Sequence, residues 1–305
     1  MISESLNLEI WDRLIQGKPL DGLPLGAKEG RVDLGGLGLP EPSALRRFQF
    51  KGAPMAEIEP GASIQGAKWQ NLDFTGSKLN GLRLFDCELR NCRFDRCHLR
   101  DLRVWATTFG ECSFTGANLR KSVLGGVRNG KRNSYSGVDF SGADLRETVY
   151  KAAAFERCIF RDAKLERIDF QTSTFEDCVF EGELRDLLFY RRGFDGDAYP
   201  ANEMVNVDFS RAKLHDIGFR GLTLDRVKLP EDTDHIVIKN VDITLDRLTA
   251  ALKHQDDTTA KKLTAFLNID RKWIAPNQVQ KVINVQDLAD TVGREGVNRL
   301  RELLQ

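Results

Sequence analysis

The sequence is poor in the features that most functional classes require. No apolar run approaches the ~20 residues that cross a bilayer, and Met1-Ile2-Ser3-Glu4-Ser5 opens without a basic segment leading into an apolar one. A signal peptide is therefore not expected, and the expectation is a soluble cytoplasmic protein. None of the six cysteines forms a Cys-x-x-Cys pair, and no histidine lies at zinc-ligand spacing from them, so neither a metal site nor a cofactor is expected. Catalytic motifs are missing too: there is no Ser/His/Asp arrangement and no phosphate-cradling glycine loop, which argues against an enzyme. Net charge is also absent, with 45 basic residues against 45 acidic ones.

What the chain has is a period of five. Trp69, Phe74, Leu79, Leu84, Leu89, Phe94, Leu99, Val104, Phe109, Phe114, Leu119 and Leu124 are large and apolar, and the residue two places earlier is usually small. The rule returns from Phe140 to Phe180 and from Phe209 to Leu229. Five suits neither a helix nor a strand that alternates faces. Within one unit the small and large residues lie two apart and share a face of an extended segment. Because five is odd, all the large residues reach one core only if the chain turns a corner once per unit. Short extended sides joined by corners make a solenoid.

Units such as Gly116-Ala117-Asn118-Leu119-Arg120 and Gly142-Ala143-Asp144-Leu145-Arg146 resemble the pentapeptide-repeat family, and Asn71-Leu72-Asp73-Phe74-Thr75 and Asn206-Val207-Asp208-Phe209-Ser210 fit with a larger partner residue. The resemblance covers roughly residues 61–230. It implies a mainly β fold, a right-handed quadrilateral β-helix of four units per coil, with coils stacked like parallel strands. Seven or so coils at about 4.8 Å each would give a rod of roughly 35 Å.

The same rule accounts for the cysteines. Cys87, Cys92, Cys97, Cys112, Cys158 and Cys178 all take the small inward position and read as buried free thiols. Cys92/Cys112 and Cys158/Cys178 lie twenty residues apart and should stack on adjacent coils, within disulfide reach. A reducing cytosol and parallel side-chain directions favour free thiols.

Three regions organise the chain. Residues 1–60 form an N-terminal cap: a helix from Ser5 to Gln16 around Leu6, Ile10, Trp11 and Leu14, then degenerate pairs Val32/Leu34 and Leu37/Leu39. Residues 61–232 are the solenoid, and residues 233–305 are an α-helical cap or dimerisation region. Helices are expected around Leu245/Leu248/Leu252, Leu263/Phe266/Leu267 and Val297/Leu300/Leu304, with Asp257 and Asn277 as N-cap candidates. The tail carries no strong basic patch, and direct nucleic-acid binding by the protein is not expected. His98 and His215 should both face solvent.

The period breaks twice. Residues 125–134, rich in Gly and Asn, form a loop or bulge carrying Arg128, Lys131 and Arg132. Phe189 and Phe209, twenty apart, keep register, but Arg192, Asp197 and Asn202 would then point inward. Residues 191–203 therefore form a projecting loop replacing part of a coil, carrying Arg191, Arg192, Phe194 and Tyr199. These seven side chains are the candidate partner-binding residues, because loops on rigid scaffolds often carry recognition.

Some members of the family bind DNA gyrase and protect it from topoisomerase poisons by imitating DNA with an acidic coil. The resemblance thus implies a non-enzymatic protein-binding scaffold whose partner is DNA gyrase or another topoisomerase. Residues 61–132 are basic, however, which departs from that acidic surface. An alternative is a structural or assembly protein oligomerising, for example as a homodimer, through its helical C-terminus. An unrecognised enzyme on the solenoid is the third reading. No membrane partner is expected.

Overall fold

A computed structural model describes residues 2–40, 63–193 and 199–305. The period of five resolves into sides and corners. Each unit contributes a short extended side, and the residue two places after the large apolar one adopts a left-handed conformation that turns the chain. Gly76, Gly81, Asp86, Asn91, Arg96, Asp101, Ala106 and Glu111 do so in succession, with φ between 49° and 74°. Only Gly takes this conformation without cost, so arginine, glutamate or threonine at these corners is held there by the stacked coils.

Stacking is parallel and in register. Residue i pairs with i+20 in strand ladders such as Ser63/Arg83/Arg103 and Lys68/Glu88/Thr108, and in single bridges such as Lys78/His98/Asn118 and Asp73/Arg93/Ser113. The pairs fall on four successive sides of each coil, here faces A to D. Face A buries Phe74, Phe94, Phe114, Phe140, Phe160, Phe180 and Phe209. Their rings stack with centroids 4.6 to 5.4 Å apart. Face B buries Leu79, Leu99, Leu119, Leu145, Leu165, Leu184 and Leu214, and face C runs from Ile64 and Leu84 to Tyr150, Phe170 and Phe189. Face D carries Trp69, Leu89, Phe109, Tyr135, Phe155 and Phe175. Burying one such side chain contributes about 1.5–3 kcal/mol, and stacked aromatic pairs add about 0.5–1.5 kcal/mol. The core is therefore a sum of repeated terms along the axis.

All six cysteines occupy the small inward sites as free thiols. Burial pushes Cys87 up to about 11 and Cys97 up to about 12.

Each end is covered. At the start, α1 (Glu4–Gln16), capped by Ser3, lays Ile10, Trp11 and Leu14 over the first coils. The Trp11 indole donates to the Gly38 carbonyl at 2.7 Å, and Trp69 donates to the Leu14 carbonyl at 3.1 Å. Residues Arg31–Asp33 pair in parallel with Leu72 and Asp73, continuing face A by one further rung.

At the other end, His235–Lys239 and Gln280–Asn284 form an antiparallel pair. Around it pack α2 (Val241–Leu252), α3 (Thr258–Arg271) and α4 (Val285–Leu304), the last kinked at Gly293. Asp257 caps α3 as expected, but Asn277 caps nothing: it sits in a turn, and Asn284 caps α4. The antiparallel pair carries no strong signal in the sequence because each strand is five residues long and borders a helix.

This C-terminal unit satisfies the backbone of the last coil. The Gln280 amide donates to the carbonyls of Leu224 and Val227 at 2.7 and 2.6 Å. His235 Nε2 accepts from the Leu214 N–H at 3.0 Å, and Asp287 accepts from the Asp216 N–H at 2.8 Å. An open coil end would otherwise present unpaired donors and acceptors. His215 does not face solvent: it lies against α4, with Nδ1 3.3 Å from Asp287 and Nε2 3.6 Å from Glu183.

Candidate partner-binding edge

The second break does not keep the register that the twenty-residue spacing implies. Phe209 stacks on Phe180, with centroids 4.8 Å apart, while Phe189 belongs to face C, between Phe170 and Phe219. The segment after Phe189 is thus an insertion that lengthens a coil, not a replacement for part of one. The first break lengthens its coil as well, since Tyr135 pairs with Phe109 across twenty-six residues.

Both insertions leave at one corner. The first departs after Leu124 on face C and returns at Tyr135 on face D. The second departs after Phe189 on face C and returns at Met204, beside Phe175 on face D, where Glu176 bridges Val205. Three coils separate them, or about 14 Å along one edge. Each returns through a buried asparagine in the small inward position. Asn133 donates to the carbonyls of Val104 and Leu124 and accepts from the Thr107 N–H. Asn202 accepts from the N–H groups of Phe175 and Met204 at 3.1 and 3.2 Å. A short amide suits this place because it fits the site and bonds the backbone that the detour frees.

The first insertion is a tight hairpin. Val127 and Arg128 pair antiparallel with Arg132 and Lys131. Asn129 and Gly130 turn the chain with φ of 51° and 73°, the geometry that Asn-Gly favours in two-residue hairpins. The hairpin folds down along the edge. The Arg128 guanidinium lies 5.0 Å over the Phe85 ring, and its Nε is 3.2 Å from Asp86. Phe85 stacks on Trp105 at 4.7 Å, and a Cβ at Gly126 would sit 3.1 Å from the Trp105 ring. Lys131 at the tip is exposed. Arg132 is half-buried with no carboxylate partner among the described residues, and desolvation lowers its pKa from the ordinary arginine value.

The second insertion is anchored in a comparable way. Arg191 pairs with Glu203 across its base, with Nη2 2.7 Å from Oε1. A Cβ at Gly193 would lie 2.6 Å from Thr172 Cγ2, so the glycine lets the chain pass directly over that corner residue. Arg192 is exposed and Tyr199 half-buried, while Phe194 lies outside the described residues.

The structure thus brings the two candidate groups to one edge, but it separates their roles. Arg128 and Arg191 are held by acids of the same chain and shape the edge. Lys131 and Arg192 are exposed to solvent. Phe85 and Trp105, absent from the sequence candidates, form the aromatic base under the hairpin. Their signal was available: two aromatics twenty apart at an outward position, where the repeat is otherwise polar.

The repeat itself points to a family. Eight copies of the pentapeptide-repeats model match residues 61–96 and 139–177, and these stretches supply part of the stacked coils. Over these stretches the chain is built of the pentapeptide repeats of that family. Pentapeptide repeat protein MfpA of Mycobacterium tuberculosis is 31% identical to it over 114 residues, covering 37% of this chain and 54% of MfpA. The chain therefore spans about half the length of that relative. Among solved structures, full-length QnrB1, a plasmid-mediated fluoroquinolone resistance protein, is 17% identical. It superposes with a TM-score of 0.33 over 55% of this chain and 82% of its own. HetL, involved in heterocyst differentiation regulation in Nostoc sp., is 17% identical, with a TM-score of 0.23 over 55% of this chain and 83% of its own. At these TM-scores the superpositions are loose, and the likeness to the family rests on the repeats.

Proposed function

We propose that this pentapeptide-repeat chain is a non-enzymatic scaffold that recognises a protein partner along the corner between faces C and D. Its four ladders are read as closing into a right-handed quadrilateral β-helix. Support comes from the four-sided register and from the strong right-handed preference of parallel crossovers; a crystal structure would decide the hand. The observation that carries the functional reading is the common edge. Two insertions, three coils apart, leave at the same corner and are each tied down by a buried asparagine and an arginine–carboxylate pair. Anchoring of this kind lowers the entropy lost on docking. The six buried free thiols suit a cytoplasmic setting.

In its most specific form the partner is DNA gyrase or another topoisomerase, as the family resemblance implies. The charge of the coils limits the mechanism. Residues 61–132 hold thirteen Lys and Arg against six Asp and Glu, so this half cannot imitate a duplex by a continuous acidic face. Contact through the insertions is the reading that charge leaves open. Supercoiling by gyrase, with and without a quinolone, tests it: protection or inhibition at micromolar protein is expected, and it should disappear when residues 127–132 are replaced by a two-residue turn. If neither effect occurs, gyrase is excluded. Affinity capture with both insertions shortened then tests edge recognition itself; an unchanged set of partners would overturn it.

Assembly through the C-terminal helices is the second reading, favoured by Ile243 and Ile269, which are 74% and 61% exposed on α2 and α3. Light scattering that returns a monomer at high concentration would exclude it.

A further inference from the structure

Face B of the first coils presents a second, chemically different surface. Outward residues alternate along each side of a coil, about 6.6 Å apart, and the coils repeat at about 4.8 Å. The bridges Lys78/His98 and His98/Asn118 place three rows in register. The rows read Gly76-Lys78-Asn80, Arg96-His98-Arg100 and Gly116-Asn118-Arg120. No carboxylate occurs in this grid. Lys78, Asn80, Arg96, His98 and Arg100 are all exposed. Gly76 and Gly116, on either side of Arg96, have no side chain to cover it.

The neighbouring acids are turned away. Asp95 is engaged on face A by Arg93, Ser113 and the Thr115 N–H. Asp101 is engaged on face C by Arg103 and Arg83. Glu147 takes up Arg120 and Lys121 at the far margin, and Asp144 pairs with Arg146. Lys78, Arg96 and Arg100 form no ion pair with a carboxylate among the described residues, although Glu147 at the margin lies close enough to Arg100 to feel its charge. Asn80 and Asn118 each accept a backbone N–H through Oδ1, from Arg100 and Arg120. Their amide NH2 groups remain as donors.

We infer that this grid binds the phosphate backbone of a nucleic-acid duplex. The choice follows from what the surface offers. It has cations and amide donors in a fixed plane, which suits phosphate oxygens. It has no exposed apolar or aromatic anchor of the kind that dominates protein interfaces. It has no aromatic platform for unstacked bases, which single-strand binders use. A flat sheet face enters neither groove, so binding should be independent of sequence. This site is separate from the edge proposed above, and its failure would leave that reading untouched.

Fluorescence anisotropy with a labelled duplex of about 20 base pairs tests it, using the full chain. Binding is expected at about 50 mM salt, with log affinity falling against log salt at a slope near −3 for three phosphate contacts. The exposed double substitution Arg96→Gln/Arg100→Gln should weaken binding at least about tenfold and reduce the slope by about two. A matched loss of charge on the helical unit, Arg247→Gln/Lys262→Gln, should change neither. The inference is overturned by no binding at low salt, by a double variant with the wild-type slope, or by a poly-glutamate peptide that binds as tightly as the duplex. The last result would assign the grid to acidic protein surfaces.

Discussion

Phe180 and Phe209 stack face to face at 4.8 Å although twenty-nine residues separate them in the chain. Their neighbours Phe160 and Phe180 stack at 4.6 Å across the regular twenty. The core is therefore indifferent to what happens at the corner between faces C and D, and an insertion there leaves the ladder intact. That tolerance makes the corner available for recognition elements.

The ladder should nevertheless be sensitive to its own rungs. Phe160 is fully buried between Phe140 and Phe180. Phe160→Ala should cost about 3–5 kcal/mol, and Phe160→Leu clearly less. Urea unfolding would show this as a lowered midpoint, and an effect below about 1 kcal/mol would contradict stacking as the source of stability.

Corner strain predicts a stabilising change. Thr172 is a buried β-branched residue with φ of 55°, a conformation such residues rarely adopt. Its Oγ1 has no hydrogen-bond partner among the described residues. Thr172→Gly should raise stability by up to about 1 kcal/mol, whereas Thr172→Val, which keeps the branching, should not. Thermal melting of the two variants separates them.

The thiols should be silent in the native state because all six are buried, including Cys92, whose pKa a hydrogen bond from Cys112 lowers. Burial pushes Cys87 and Cys97 up to about 11 and about 12, and Cys178 well above the ordinary thiol value. At pH 8 a thiol-specific reagent should find almost no reactive group until denaturant is added, and then six. Fewer than six under non-reducing conditions would indicate a disulfide between stacked cysteines.

Acid should loosen the coils through their surface pairs. A hydrogen bond from Arg161, with Arg211 beside it, holds the Glu181 carboxyl below its ordinary 4.5. Hydrogen bonds from Arg93 and Arg120 do the same for Glu29 and Glu147. The unfolded carboxylates protonate first as pH falls. The contribution of these pairs is thus complete above the ordinary value and is lost as pH drops through the depressed folded values. Urea midpoints should hold from neutral pH down to about 5 and decline below it. Glu181→Gln should make that decline shallower.

The C-terminal cap depends on a few side chains. Gln280 serves two carbonyls of the last coil, and leaving buried carbonyls unpaired costs about 1–3 kcal/mol each. Gln280→Leu keeps the bulk and removes the donor. Amides around Leu224 and Val227 should then exchange faster, while those around Phe94 should not change.

Much of the fold was legible because a strict period leaves one solution. The small-large pair two apart, repeated at an odd interval, demanded corners, and it placed all six cysteines inside. The insertions were legible as breaks, but their placement was not. Spacing suggested that Phe189 and Phe209 were stacked partners, because twenty is also the coil length. Only the pairing of Leu184 with Leu214 and Phe189 with Phe219 shows the true register. Phe85 and Trp105 were overlooked because outward positions carry no constraint from the core.

By itself, then, the sequence determined the repeating side and corner, the buried ladders and the two places where the period breaks. These are local rules, set by which face each residue takes within five positions. Tertiary structure decided that both insertions share one edge and that Arg128 and Arg191 are anchors where Lys131 is free of the core. It also decided that Asp95 and Asp101 turn away from face B and leave its cations exposed. Those outcomes depend on residues twenty or more apart, and only stacking brings them within reach of one another.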